Sequence, residues 1–584
     1  MRGRLLLSAV IFAVVALVFS GAAKHEFIRL DDYDYVVTNT HIRDGLTLEA
    51  VKWAFLDAGY AANWHPLTWI SHAADISLAS ALGIDWRCGE DEAKLGFVTR
   101  ETGGLARLAH IENVVLHGVN AVLLFWLVLA MHRSCADRLT GLGAAGAAAL
   151  ALLWAVHPLR TEVVAWVAER KELLSCLFML LTLLCWVMGI RDWGLGIEKR
   201  CRKCLLPLSL FFFALALLAK PVAVSLPVVI FAYEWAMRRE GFRKSVRRAV
   251  PFAALSAAVC ALTILAQRGA MRAADNWTLA NRVLAVVEAP VVYLRQTFWP
   301  FGLTIDYPVP DWSSWPLFAT GTVLLIGMGV VVAGQFWSRF RGRDNAALAV
   351  LFFAVAWMYV GLLPMIGIVK VGYEPHNDRY TYWIAAGGAV VLGWAIAAVP
   401  RLAEIRYRRH SVVALIAVLS FLSIVQTATW KDSETVLARA VRANHDPWYA
   451  QTLAEVMAIR HPERVEESVE ILREVLDSRH SSEARAVLAY QLAAYATGVK
   501  RTSITGAETS AFSEARMLAD YALEEKPSEF SIQFACAAFA HADYREERYE
   551  SALKWMERAI GQGYEPEKHC VRLDKWKEKA RVSK

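Results

Sequence analysis

The sequence predicts an all-α protein: a polytopic membrane helix bundle of about 11 spans over residues 1–429, then a C-terminal helical-repeat domain over residues 430–584. Three observations predict it. The 584 residues are 56% hydrophobic, with a mean hydropathy of +0.33, which is too apolar for an ordinary soluble protein. Residues 1–430 alternate long apolar runs with short basic links. From residue 431 onward the chain turns rich in Glu, Arg, Lys and Ala, a membrane-to-polar transition. The net charge of +7 lies largely in the short links, so it signals sidedness in a membrane rather than a nucleic-acid partner.

Apolar runs at 5–23, 106–130, 140–156, 172–190, 205–219, 221–237, 249–267, 315–337, 346–366, 381–399 and 411–428 are the predicted spans. Several approach the roughly 20 residues that cross a hydrocarbon core of about 30 Å. Residues 283–301, interrupted by Glu288, Pro290 and Arg295, read as an interfacial or partly inserted segment. The first run competes with a signal-peptide reading, because SGA at 20–22 resembles a cleavage site. The 19-residue, largely apolar stretch from Leu5 to Ala23 favours a retained anchor.

With the N-terminus cytoplasmic, the links 131–139, 191–204, 238–248, 338–345 and 401–410 face the cytoplasm. They carry 2, 5, 6, 3 and 4 Lys or Arg residues respectively, the bias that orients membrane proteins. Residues 24–105 and the C-terminal domain then lie outside. A bacterial inner membrane, with a periplasmic repeat domain, is the expected location.

The first outer loop carries two amphipathic stretches, 47–58 with Thr47 as N-cap and 65–83 with Pro66 in the first turn. Trp53, Trp64 and Trp69 suit a headgroup layer. The nine cysteines form no framework. CRKC at 201–204 lacks the second pair of a zinc ribbon. Cys176, Cys185 and Cys260 sit in apolar segments, and pairing of Cys536 with Cys570 is left open.

Unusual polar residues gather on the predicted outer face: Asp31-Asp32, NWHPLTW at 63–69, HPLRTEVVAWVAERKELLS at 157–175, AKP at 219–221 and EPHNDRYTY at 374–382. Groups that converge at one surface can build a site facing a membrane-embedded substrate. His110, Asn113, His117 and Asn120 share one face of the second span. Buried in a bundle, that face serves either interhelical hydrogen bonding or a groove for a lipid phosphate.

In the C-terminal region, Tyr549, Ala552, Met556, Ala559 and Pro566 follow the pattern of the second helix of a tetratricopeptide repeat, and Ala519, Ala522 and Pro527 repeat the theme. Such stacks bind peptides or protein partners.

Taken as an ordered set, the acidic pair, NWHPLTW, HPLRTEVVAWVAERKELLS, AKPVAVSLP, NDRYTY and the helical tail resemble the C-type membrane glycosyltransferases. They look most like the transmembrane and tetratricopeptide-repeat O-mannosyltransferases and their bacterial relatives. The resemblance implies transfer of a sugar, mannose or similar, from a polyprenyl-phosphate carrier to a protein or envelope hydroxyl. It assigns the base to Asp31 or Asp32; the pair also suits a divalent cation through its oxygens. The charge developing on the lipid phosphate calls for cations or donors: Arg170, Lys171, Lys220 and Arg379, with His65 and His157. Asn113, His117 and Asn120 are the groove candidates.

Plainer readings stand beside these. Asp31-Asp32 is then a solvated collar, Lys220 snorkels at a span end, Arg379 pairs with Asp378 or Glu374, and the two His-Pro pairs start helices. Residues 85–105 look like an insertion that separates this chain's acceptor specificity from its relatives'. A lipid-linked sugar flippase and a non-enzymatic scaffold displaying the repeat domain are the rival functions.

Overall fold

Within the described residues each predicted run overlaps helix in the computed structural model, which describes residues 1–57, 59–84, 103–135, 142–190, 199–266, 278–366, 376–398, 408–479, 481–494, 506–524, 529–545, 548–562 and 573–582. The described residues form helices joined by turns and loops, without a strand. Residues 85–102 of the insertion, and Cys570, Pro527 and Pro566, lie outside them. The chain divides into two compact units. The first is built from Met1–Phe27 and the described residues between Asp31 and Lys431, the second from Ile28–Leu30 and those from Asp432 on.

The first unit opens with α1 (Arg2–Val18), and the first loop then folds as α2 (Leu48–Leu56) and α3 (Pro66–Ala81). Thr47 caps α2, its hydroxyl accepting from the Ala50 amide at 3.1 Å. Of the three loop tryptophans, Trp69 does not sit in a headgroup layer. It is fully buried, its ring 4.4 Å from that of Tyr35, because it lies on the inward stripe of α3.

Then follow α4 (Gly103–Ser134), α5 (Ala144–Ala155), the short α6 (Thr161–Ala165) and α7 (Arg170–Ile190). A bend of 62° separates Ala144–Ala155 from Pro158–Ala165. Its cause is local: proline drives the preceding residue out of the helical region, and His157 is extended (φ −77°, ψ 137°). The bundle continues with α8 (Lys199–Ala219), α9 (Leu226–Ala232), α10 (Phe242–Ala266), α11 (Leu279–Phe298), α12 (Trp315–Phe340), α13 (Ala346–Ala354), α14 (Thr381–Ala398) and α15 (Arg408–Thr427).

Among the described residues, five helices are long and apolar enough to cross a membrane: Gly103–Ser134, Val167–Ile190, Phe242–Leu265, Trp312–Phe340 and His410–Trp430. The bent pair makes a sixth if it is one span, and Cys204–Ala219, Pro221–Met237 and Ala346–Leu362 are shorter apolar helices. A single core runs through the unit, with Trp357, Trp383 and Trp394 wholly buried. At Gly387 of α14 a side-chain carbon would collide with the Trp357 ring, which is why the two elements approach so closely. Gly387→Ala is expected to cost about 1–3 kcal/mol by overpacking, read as a lower melting midpoint of the detergent-purified protein.

The second unit holds α16 (Ser433–Asn444), α17 (Pro447–Arg460), α18 (Val465–Ser478), α19 (Ser482–Ala494), α20 (Gly506–Glu524), α21 (Glu529–Arg545), α22 (Tyr549–Gly561) and α23 (Leu573–Val582). Asp432 and Asp446 cap the first two. Each helix packs on its successor, and α19 also packs on α17 and α21. The small residues Ala519, Ala522, Ala552 and Ala559 are fully buried, where they let helices approach.

Candidate active site

The segment after Leu30 turns into helix at once, Asp31 and Asp32 leading into a wide π-helical turn at Tyr33–Val37. The turn sends the two carboxylates to different surroundings. Asp32 is fully buried and accepts from the Ala168 amide at 2.7 Å. The Asp31 side chain is 44% exposed and its Oδ2 lies 3.0 Å from Lys171 Nζ. The same ammonium is 3.3 Å from the Tyr35 hydroxyl and 4.6 Å from the centre of its ring. The acidic loop is thus laced to the start of α7 by an amide, an ion pair and a cation–π contact.

Behind Lys171 lies a buried network that no single motif suggests. Glu169, 1% exposed, meets Lys171 at 3.2 Å, Lys220 at 3.2 Å and Arg379 Nε at 3.6 Å. Glu172 takes Lys220 at 2.8 Å. Glu162 holds Arg379 twice, through the guanidinium and through the backbone amide at 2.9 Å. Arg379 also lies 5.5 Å from the Trp166 ring centre. Burial alone would push the Lys220 ammonium down; Glu169 and Glu172 outweigh that and hold it above the usual lysine range. Lys220 therefore does not snorkel, and Arg379 pairs with Glu162; Glu374, one of its two expected partners, lies outside the described residues.

Sequence reasoning singled out the cations and passed over Glu162, Glu169 and Glu172. The signal was present: isolated carboxylates inside an apolar stretch cannot be desolvated alone and require charged partners. Asp378 was also missed as a site residue. It is buried, accepts from the Tyr307 hydroxyl at 2.7 Å, and is held well above the carboxylate range by burial and then by Glu162.

The other expected residues fall elsewhere. Arg170, next to Lys171, turns the opposite way: it meets Asp75, Glu112 at 3.1 Å, Asn113 at 3.0 Å and the Ala109 carbonyl at 2.9 Å. Burial pushes the Asp75 carboxyl up, but Arg170 prevails and keeps it low. His157 begins the turn after the bend, Nδ1 accepting from the Leu159 amide at 3.2 Å and Nε2 lying 2.9 Å from the Thr297 carbonyl. Asn113 donates to the Trp166 carbonyl (3.2 Å), Asn120 to the Leu173 carbonyl (3.0 Å), and His117 bonds Tyr382 (2.8 Å) and the Ala155 carbonyl (3.0 Å). These three are fully buried and join helices, while His110 reaches the Glu26 carbonyl at 3.3 Å.

His65 is buried near the lysines. Burial, then Lys171 and Lys220, drive its pKa well below the usual 6.5. Burial likewise lowers His72, and lowers His376 to about 4. As pH falls, the unfolded chain binds protons at these positions before the folded chain does. Their contribution to stability is whole above about pH 6.5 and is lost as pH drops below it. The melting midpoint is expected to fall between pH 7 and pH 5, and to fall less in His72→Leu.

Asp31 and Asp32 do not fit a divalent-cation site. One carboxylate is committed to an ammonium and the other to a backbone amide, and no group of three His, Cys, Asp or Glu among the described residues is arranged for a metal.

No family model matches the chain, and no solved structure matches it. Its curated homologues are protein O-mannosyl-transferases. It is 28% identical to Protein O-mannosyl-transferase Tmtc1 of Drosophila melanogaster over 298 residues, 45% of this chain and 32% of that protein. It is 33% identical to TMTC4 of Mus musculus over 122 residues, and 31% identical to TMTC1 of Homo sapiens over 129 residues. These matches cover 20% and 22% of this chain, and 16% and 14% of the respective relatives. The chain spans about a third or less of the length of the relatives it matches. Over that matched part, this helical membrane protein is similar to the protein O-mannosyl-transferases.

Proposed function

We propose that the chain is an inverting glycosyltransferase. It moves a sugar, mannose or similar, from a polyprenyl-phosphate carrier to a hydroxyl of a protein or envelope acceptor on the outer face of the membrane. The observation that carries the reading is the partly exposed Asp31 carboxylate, 3.0 Å from a lysine whose buried partners tie together Lys220 and Arg379. The convergence of five chain segments supports an enzyme over a scaffold, which has no use for it.

Asp31, the accessible carboxylate, is the base. It accepts the acceptor's hydroxyl proton while the oxygen attacks the anomeric carbon from the face opposite the carrier. The anomeric carbon–phosphate oxygen bond breaks with its electron pair going to the phosphate. The leaving polyprenyl phosphate thus gains the negative charge that Lys171, Lys220 and Arg379 are placed to meet. Asp32 is a positioning residue, fastening the acidic turn to the Ala168 amide.

The reading extends to eleven spans, a module at 1–429 and a tetratricopeptide-like domain at 430–584 that receives a protein acceptor or partner. It places the protein in a bacterial inner membrane with a cytoplasmic N-terminus and an outer C-terminal domain. A reporter fused after residue 440 is expected to report the outer compartment; a cytoplasmic signal would overturn the outer-face reading. Membranes containing the protein are expected to transfer sugar from polyprenyl-phosphate mannose to hydroxyl acceptors. Membranes inactive with every polyprenyl-phosphate sugar, and no glycan lost on gene deletion, would end the proposal.

A further inference from the structure

At the far end of α12 the chain gathers positive charge that no acid of the fold balances. The helix begins beside the candidate site: Tyr307, shortly before it, donates to Asp378 at 2.7 Å. Trp312 and Trp315 stand exposed at that end, Trp337 and Phe340 at the other. From Trp315 to Trp337 the helix rises about 33 Å, close to a hydrocarbon core of about 30 Å. Between them Val323, Ile326 and Val330 are 68%, 63% and 66% exposed, as on a helix that faces lipid. The two aromatic pairs mark two membrane surfaces. Residues 339–344 therefore lie at the surface away from the candidate site.

The start of α10 meets them there. Arg339 Nη2 donates to the Arg239 and Glu240 carbonyls at 3.1 and 3.0 Å, and the Arg239 guanidinium pairs with Asp344. The Phe336 ring lies 6.3 Å from that of Phe242 and 4.5 Å from that of Trp235. Residues 239–242 and 336–344 thus form one edge. Residues 234–248 and 339–344 hold nine Lys or Arg against three acids, and all three acids are engaged. Glu234 takes Arg238 and Arg248, Glu240 takes Lys244 at 2.7 Å, and Asp344 takes Arg239. Arg243, Arg247, Arg341 and Arg343 are left exposed, without an ion pair among the described residues. Arg243 and Arg247 are neighbours one turn apart on α10. Arg341 and Arg343 flank Gly342, whose φ of +64° turns the chain just before Asp344. Beside Arg243 and Arg247 runs an apolar stripe with the same spacing: Phe242, Val246 and Val250 are 49%, 38% and 52% exposed.

Like charges held together repel, and an anion that reaches them removes the repulsion. A basic stripe beside an apolar one, at a membrane surface, matches a molecule with phosphate at its head and hydrocarbon below it. A zwitterionic head carries its own ammonium, which offsets most of the attraction; an anionic head does not. Arginine forks suit phosphate oxygens. We infer that the start of α10 and the α12–α13 turn form a rim that binds anionic phospholipid in the leaflet away from the candidate active site. The headgroup phosphates sit on Arg243 and Arg247 and on Arg341 and Arg343, with acyl chains along Phe242, Val246 and Val250. On the proposed topology that leaflet is the cytoplasmic one. The inference does not rest on glycosyl transfer, and no residue of the candidate site takes part in it.

The test is native mass spectrometry of the full chain in detergent, titrated with dioleoyl phosphatidylglycerol, dioleoyl phosphatidylcholine or glycerol 3-phosphate. Phosphatidylglycerol is expected to bind at least about tenfold tighter than either of the others. Each arginine removed is expected to cost about fivefold. The doubles Arg243→Gln with Arg247→Gln, and Arg341→Gln with Arg343→Gln, are each expected to lose about tenfold or more. The four side chains hold no ion pair, so both doubles are expected to melt as the wild type does. Arg2→Gln with Arg4→Gln removes two cations from another part of the chain and is expected to lose little. An equal loss there would mean diffuse attraction to net charge and would overturn the rim. A loss in only one of the two site doubles would overturn its shared character. Phosphatidylcholine as good as phosphatidylglycerol would overturn the need for an anion, and glycerol 3-phosphate as good would overturn the need for a lipid. Asp31→Asn is expected to bind as the wild type does, so loss of sugar transfer and loss of this binding are told apart.

Discussion

Asp31→Asn is expected to abolish sugar transfer, lowering the rate by about 10²–10⁴-fold, with the protein still present at normal levels in the membrane. The amide is close in size and keeps a hydrogen-bonding oxygen for Lys171, but it cannot take the acceptor's proton. Because the side chain is 44% exposed, losing its charge costs little structure. Asp32→Asn behaves differently. Its buried oxygen accepts from the Ala168 amide, and the amide variant still offers an oxygen there. Its loss of activity is expected to be smaller and to be accompanied by a lower melting midpoint. The measurement is transfer from polyprenyl-phosphate sugars in membranes, normalised to protein level. Full activity in Asp31→Asn would remove Asp31 as the base.

The largest expected effect on stability belongs to Glu169→Gln. The carboxylate is 1% exposed and faces Lys171, Lys220 and Arg379 together. Removing one member of a buried ion pair typically costs about 3–5 kcal/mol, because the partner stays buried and unpaired. The contrast is an exposed pair in the C-terminal unit, Arg473 with Glu514 at 2.7 Å. There Glu514→Gln is expected to change stability by no more than about 1 kcal/mol. Thermal unfolding in detergent reads both. A Glu169→Gln protein as stable as the wild type would mean that the three cations find other counter-charges.

Much of the scaffold was legible in the residues. Among the described residues each apolar run overlaps a helix, because hydrocarbon leaves the backbone few alternatives, while the short α6 lay in no run. Thr47 announced the start of α2, and the spacing of His110, Asn113, His117 and Asn120 announced one buried polar face. What the sequence hides is which charge meets which. Arg170 and Lys171 are adjacent, yet about 100° apart around a helix, so one faces Asp75 and Asn113 while the other faces Asp31. Glu169 and Glu172, three apart, fall on the same side and share Lys220. Periodicity carries that information. The partnership of Glu162 with Arg379 does not follow from any local pattern, since it depends on how distant helices pack.

The buried network also orders events during synthesis. Glu162 and Glu172 leave the ribosome well before the side chains that neutralise them, while Glu169 has Lys171 two residues on. Lys220 follows Glu169 by 51 residues, and Arg379 follows Glu162 by 217. Until then those carboxylates have to wait in water or protonated, since bare charge does not settle in hydrocarbon. Glu162 is therefore expected to gain its guanidinium partner only after the 378–381 turn has arrived. A chain that stops short of Arg379 keeps the Glu162 carboxylate without the guanidinium it meets in the finished fold.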